Sequence, residues 1–239
     1  MVPTRVLIMT FRKGPVPLSP AQRAQYAPLA RLIRTPGPDG IEALEPGTFT
    51  AESADFKATT LARRYAWARG LTLMRERQAA ETGARVVIGG MVGPTEKAMA
   101  DGSHGINCCS GRIPGVVEEA LLTLRGGKPV FLCGGFGGAA ALLGGLMQGD
   151  ADPRFTWEYQ KDAPHSEGMR ALYASSTWWD YPDMTAFLRG LGIEGLARLN
   201  RLSPSENQEL FRTRDPDRIV KVVLAGLFRI SETAPGTAG

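Results

Sequence analysis

The sequence predicts an α/β fold, a doubly wound and mainly parallel sheet flanked by helices, and three observations carry that reading. Two short apolar runs, ARVVIGG (84–90) and KPVFLCGG (128–135), each end in paired glycines. A strand buried on both faces reads as continuous apolar residues, not as alternation. Between the two runs, Val116, Val117, Ala120, Leu121 and Leu124 follow Pro114 at helical spacing, with proline where a helix begins. The glycine pairs also fall at the carboxyl ends of the strands, where open parallel sheets bind their ligands. Strand, helix, strand and helix in that order give the layered α/β arrangement.

RVLIMTF (5–11) is β-branched and aromatic, and reads as a strand. AQRAQYAPLARLIR (21–34) carries Tyr26, Leu29, Ala30 and Ile33 at helical spacing, with Pro28 as a break or kink. Residues 35–56 combine Pro, Gly and acidic residues without period and read as a long loop. From Lys57 to Thr82 the pattern is helical, with Gly70 as a possible break between two helices and Gly83 as the stop. Residues 84–90 then read as a fully buried strand, and 91–110 as an irregular excursion with at most a turn of helix. The helix after Pro114 ends at Gly126 and Gly127, and GFGGAAALLGGLM forms a small-residue helix beyond the second strand. MTAFLRGLGI (184–193), SPSENQELF (203–211) and DPDRIVKVVLAGLF (215–228) read as capped helices in a helical C-terminal extension. One domain is expected over residues 1–230, with 231–239 as a disordered tail.

Composition narrows the function classes. The net charge of +4, from 28 basic and 24 acidic residues, suits anionic small molecules and does not indicate nucleic acid. No apolar run reaches the length of a membrane span, and no signal-peptide core is visible near the start. Three cysteines, two of them adjacent, give no disulfide framework, so reduced thiols in a cytoplasmic protein are expected. His104, Cys108 and Cys109 lack the spacing of a structural zinc site, so no metal and no cofactor are expected. His165 reads as a loop histidine, and no nucleophile elbow is present.

Two stretches hold the candidate chemistry. In GRIPGVVEEA (111–120), a helix start offers unpaired backbone N–H groups and partial positive charge to a phosphate. Pro114 and Gly115 form that start, Arg112 adds a cation just before it, and Glu118 and Glu119 lie within its first turn and a half. The bland alternative is a helix whose carboxylates only match the dipole. In CGGFGGAA (133–140), Gly134, Gly135, Phe136 and Gly137 form a turn without the side chains that would block a ligand. It carries no Walker lysine, and close helix–strand packing is the alternative. Arg75 and Arg77 sit in MRERQ (74–78) on different helix faces. Trp157, Tyr159, Trp178, Trp179 and Tyr181 form an aromatic region suited to base stacking or to packing.

Taken together, MRERQAAETGARVVIGG and SGRIPGVVEEALLTLRGGKPVFLCGGFGG resemble the SLOG superfamily of Rossmann-like nucleotide-binding domains, over residues 70 to 228 or so. That group includes the Lonely Guy phosphoribohydrolases, the Smf/DprA proteins and the sensor domains of TRPM-type channels. On the phosphoribohydrolase pattern, the resemblance implies Arg77 and Glu119 as the catalytic pair acting on an N-glycosidic bond. It implies Gly89, Gly90 and Gly115 as the glycines around the phosphate. Val116 stands where that pattern has threonine, Gln78 where it has lysine, and residues 91–110 lengthen its loop. Residues 1–56 show no glycine-rich turn of the kind that opens such domains. The expectation is therefore a module that binds an ADP-ribose-like or nucleoside-phosphate ligand, as a sensor and a homo-oligomer. The alternatives are nucleotide hydrolysis by Arg77 and Glu119, and a non-catalytic assembly module whose glycines serve packing.

Overall fold

A computed structural model describes residues 6–10, 19–26, 30–34, 60–98, 104–109, 111, 113–174 and 180–233. The chain divides into two compact units, Met1–Glu81 and Thr82–Gly239. Among the described residues it is mostly helical, with a small parallel sheet in each unit, an architecture compatible with the α/β class. The stretches 35–59, 175–179 and 234–239, which include the expected long loop, Trp178, Trp179 and most of the expected tail, lie outside the described residues.

In the first unit, β1 (Val6–Thr10) pairs in parallel with β2 (Ala30–Arg34), from Val6 opposite Ala30 to Thr10 opposite Arg34. Helix α1 (Pro20–Tyr26) lies in the crossover that parallel strands require. The single helix expected over 21–34 is thus corrected to a short helix followed by a strand. Helical spacing over so short a stretch is a weak prior, and a partner strand that completes the backbone hydrogen bonds overrides it. Helix α2 (Leu61–Glu81) runs unbroken through Gly70, so the glycine does not interrupt it. One glycine costs about 1 kcal/mol in a helix interior, which its neighbours in a continuous helix readily offset.

The second unit is built on β3 (Arg85–Ile88) and β6 (Val130–Cys133), parallel, with Val86 opposite Phe131 and Ile88 opposite Cys133. Between them, β4 (Thr95–Ala98) and β5 (His104–Asn107) form an antiparallel pair. This corrects the irregular excursion expected over 91–110, whose polar and glycine-rich sequence carries no alternation to announce strands. Helix α3 (Gly115–Arg125) returns the chain to β6, and α4 (Gly138–Met147) follows it. Helices α5 (Trp157–Gln160), α6 (Ser166–Ala174), α7 (Tyr181–Asn200), α8 (Pro204–Arg212) and α9 (Pro216–Thr233) complete the unit. The 184–193 and 203–211 segments are helical as expected, α7 being bent at Gly192, and α9 extends past the expected helix end at 228 to Thr233.

Two cores sandwich the small sheet. On one face Val87, Val130 and Leu132 pack with Val117, Ala120, Leu121 and Leu124 of α3 and with Ala139, Ala140, Leu142 and Leu143 of α4. On the other, Phe131 and Cys133 pack with Leu210 of α8 and Ile219, Val222 and Val223 of α9. Each valine, leucine, isoleucine or phenylalanine among them contributes about 1.5–3 kcal/mol on full burial. The second cover stops at β6. Val86 and Ile88, on the same face of β3, are 46% and 54% exposed, so this strand is not fully buried as its apolar run predicts. Asn200 and Asn207 are both buried and pin α7, α8 and β6 together. The Asn200 Nδ2 donates to the Val130 carbonyl at 2.9 Å and to Asn207 Oδ1 at 2.8 Å.

Candidate functional site

The site is organised around the end of β3. Beyond Ile88 the chain turns through Gly89 and Gly90, both with positive φ, the latter at 95°. The carbonyls of Gly90 and Gly89 accept hydrogen bonds from the Ala139 and Ala140 N–H groups, each at 2.9 Å. They thereby cap the first turn of α4. A Cβ on Gly90 would lie 2.8 Å from Val116 Cγ2, and one on Gly138 would collide with the Gly90 carbonyl oxygen. Gly90 is therefore a joint at which β3 meets the first turns of both α3 and α4, and no side chain fits there. Val116, in the position where the resembled pattern has threonine, uses its methyl groups to pack on this joint.

The start of α3 is different. Pro114 is the N-cap, so no side chain accepts from the first turn, and the first backbone bond is Glu118 N–H to the Pro114 carbonyl at 3.0 Å. The N–H groups of Gly115, Val116 and Val117 have no acceptor among the described residues. Three uncapped donors at the positive end of an eleven-residue helix form an anion-attracting group. Of the two helix starts that meet at Gly90, α4 is thus closed by backbone carbonyls and α3 is open.

The two carboxylates after this start have separate surroundings. Glu118 is buried, with 4% of its surface exposed. Glu119 accepts from Arg85 Nη1 at 2.6 Å, while Arg85 Nε donates to Thr123 Oγ1 at 3.0 Å and Thr123 Oγ1 donates to the Glu119 carbonyl at 2.8 Å. Arg85 begins β3, so its backbone lies about 13 Å along the strand from Gly89 at roughly 3.3 Å per residue. The structure thus pairs Glu119 with the amino end of β3, while the open donors of α3 lie by its carboxyl end. Arg77 belongs to the first unit, where its Nε donates to Glu81 at 2.8 Å across one helical turn. Arg112 lies outside the described residues.

The glycine-rich turn after β6 has a packed half and an open half. A Cβ on Gly134 would meet the Phe211 carbonyl at 2.7 Å, and one on Gly135 would collide with the Thr213 carbonyl at the end of α8. Arg214 Nε also donates to the Gly135 carbonyl at 2.8 Å. These two glycines are required by close backbone packing. Gly137, at φ 78° and ψ −154°, has open space where a Cβ would stand, and the Phe136 side chain before it is exposed.

Several supporting residues carry no signal in the sequence. Gln160 is buried and donates to the Val92 carbonyl at 2.7 Å and to the Arg154 carbonyl at 2.9 Å. With Tyr159, whose Cε1 would lie 2.5 Å from a Cβ on Gly93, it holds the chain just beyond β3. The aromatic region is largely structural: Arg170 stacks 4.5 Å over the Trp157 ring, and Phe155 meets Tyr181 edge to face in the core. Burial pushes the Cys133 thiol up to about 11. Among the described residues no group of three His, Cys, Asp or Glu residues is arranged to hold a metal ion, and no helix is long and apolar enough to cross a membrane.

Compared with known protein families, residues 18–210 match the model described as SLOG cluster2. No curated protein and no solved structure matches significantly.

Proposed function

The chain belongs to the SLOG cluster2 family, and from that premise we propose that its second unit binds a nucleotide, an ADP-ribose-like or nucleoside-phosphate ligand, with a phosphate at the start of α3. The single observation that supports this reading most is that the Gly115, Val116 and Val117 N–H groups beside Gly90 find no acceptor among the described residues. In this reading Gly89, Gly90, Pro114 and Gly115 form the phosphate cradle and Arg112 supplies a cation to it. Gly137 and Phe136 face the remainder of the ligand, Gly134 and Gly135 hold their turn in place, and Glu118 lies close behind the cradle. The strands and helices form a portion of a Rossmann-like doubly wound domain, acting as a homo-oligomeric cytoplasmic sensor.

Titration calorimetry with AMP, ADP-ribose and ribose 5-phosphate tests the reading, and saturable binding of at least one nucleotide below millimolar concentration is the expected result. Absence of binding to all three at millimolar concentration would sink it. Light scattering of the purified protein checks the oligomer, for which a mass of one chain is the contrary result.

Hydrolysis of a nucleotide by Arg77 and Glu119 is the reading less favoured. The Arg85 contact engages the Glu119 carboxylate, which catalysis needs directed at a ribosyl centre. Release of free base from AMP or CMP, abolished in Glu119→Gln, would reverse this preference. The packed Gly134 and Gly135 fit an assembly module equally well, but such a module gives no reason for leaving the start of α3 uncapped.

A further inference from the structure

We propose that Phe136 is a stacking platform for a planar heteroaromatic ring, so that the ligand of this site carries a nucleobase and is not a bare sugar phosphate. The inference rests on the nucleotide-binding reading and assigns the side chain that meets the base of its ligand.

Exposed apolar side chains scattered singly over a surface need no special account. Phe136 differs in its place and its support. It is 51% exposed, and it stands at the carboxyl end of β6. Met91, 37% exposed, stands at the matching place beyond β3. Ile88 and Cys133 are paired across the two strands, and Met91 and Phe136 each follow their strand's paired residue by three positions. An exposed aromatic ring and an exposed, polarizable thioether thus follow adjacent strand ends, the ends at which parallel sheets take ligands.

The turn that carries Phe136 is held in advance. The Gly137 N–H donates to the Gly134 carbonyl at 2.8 Å, and Arg214 holds the Gly135 carbonyl from behind. A ligand ring laid on Phe136 thus need not order the loop, which removes one of the usual costs of binding. Gly137 leaves open space on the following residue. The reach also suits a nucleotide. Gly138 abuts Gly90, Gly90 abuts Val116 at the open start of α3, and Phe136 is two residues from Gly138, at most about 7 Å of chain. Nucleobases all present a π-face, so such a platform accepts any of them and discriminates against a ligand without one.

The experiment compares AMP with ribose 5-phosphate on the full chain. Wild type is expected to bind AMP more tightly than ribose 5-phosphate. Phe136→Ala should weaken AMP by about 5- to 150-fold, the range that stacking on one side chain supplies, and leave ribose 5-phosphate unchanged. Phe136→Trp should retain AMP, with its indole emission quenched on binding. An unchanged melting temperature in both variants shows that the exposed position leaves the fold intact. Equal weakening of both ligands by Phe136→Ala, no weakening of either, or equal wild-type affinity for the two overturns the stacking role while leaving a phosphate site standing. Binding of neither ligand, nor of ADP-ribose, by wild type overturns the nucleotide-binding reading and this inference with it.

Discussion

At the scale of single residues, the glycines divide by what a methyl group would meet. At Gly135 it would collide with backbone, which cannot move aside as a flexible side chain would. Gly135→Ala is therefore expected to cost about 1–3 kcal/mol or more as overpacking, read as a lower denaturant midpoint. At Gly115 the important group is the N–H. Proline is at home in the first position of a helix, and Pro114 already has φ −54° and ψ 130°, which a following proline tolerates. Gly115→Pro should leave the melting temperature within a degree or two and weaken a phosphate ligand about tenfold, as expected for a lost hydrogen bond to a charged group. Calorimetry beside a melting curve checks both halves. Glu119 gives the opposite split. Glu119→Ala leaves Arg85, only 14% exposed in its side chain, without its carboxylate. It should lower stability by about 1–3 kcal/mol with little change in nucleotide affinity. A variant with full stability and lost affinity would move Glu119 into the site.

At the scale of elements, the C-terminal helices are the best specified by local sequence. Ser203 and Glu206 form a reciprocal capping box at the start of α8, and Pro204 follows the cap. Glu206 also accepts from both Nη atoms of Arg229 on α9, at 2.8 and 2.9 Å. The Arg229 contact first, and then the Ser203 bonds, lower the Glu206 carboxyl from 4.5 to about 2 against the cost of desolvation. A carboxyl with a lowered folded pKa contributes its stability above the unfolded value and loses it as pH falls through the folded one. The α8–α9 contact should therefore weaken between about pH 4.5 and 2. Acid titration of Glu206→Gln should show a flatter stability profile across that window than wild type. An identical acid limb in both proteins would show that Arg229 contributes nothing in solution. Ser203→Ala should cost about 1 kcal/mol through the lost cap.

The same scale shows where periodicity misleads. ARLIR in β2 carries apolar residues at a spacing that suits a helix as well as a strand, and only β1, well before it in the chain, decides between them. The 91–110 stretch has no alternation, yet Thr95–Ala98 and His104–Asn107 pair because each supplies backbone groups that the other satisfies. By contrast, α3 was legible from Pro114, its apolar face and Gly126, since all three signals lie within one turn of the residues they govern.

At the scale of the whole molecule, a ligand that binds only the folded state raises its stability by mass action. At a hundredfold excess over Kd this is about 2.7 kcal/mol, or roughly 5–10 °C in melting temperature for a chain of this size. A thermal shift of that order with AMP, reduced to about half in Gly115→Pro at the same concentration, is expected. What the sequence by itself determined is the share set by near neighbours: the apolar runs of β3 and β6, the starts and stops of α3 and α8, and the placing of glycines at strand ends. The tertiary structure alone decided that the Gly89 and Gly90 carbonyls close α4 while α3 stays open, that Arg85 engages Glu119, and that Val86 and Ile88 lack the cover given to Phe131 and Cys133. The physical reason is the same in each case. A residue's type and spacing report that a group needs a partner or a cover, but a partner dozens of residues away is chosen by how the strands register and the helices pack.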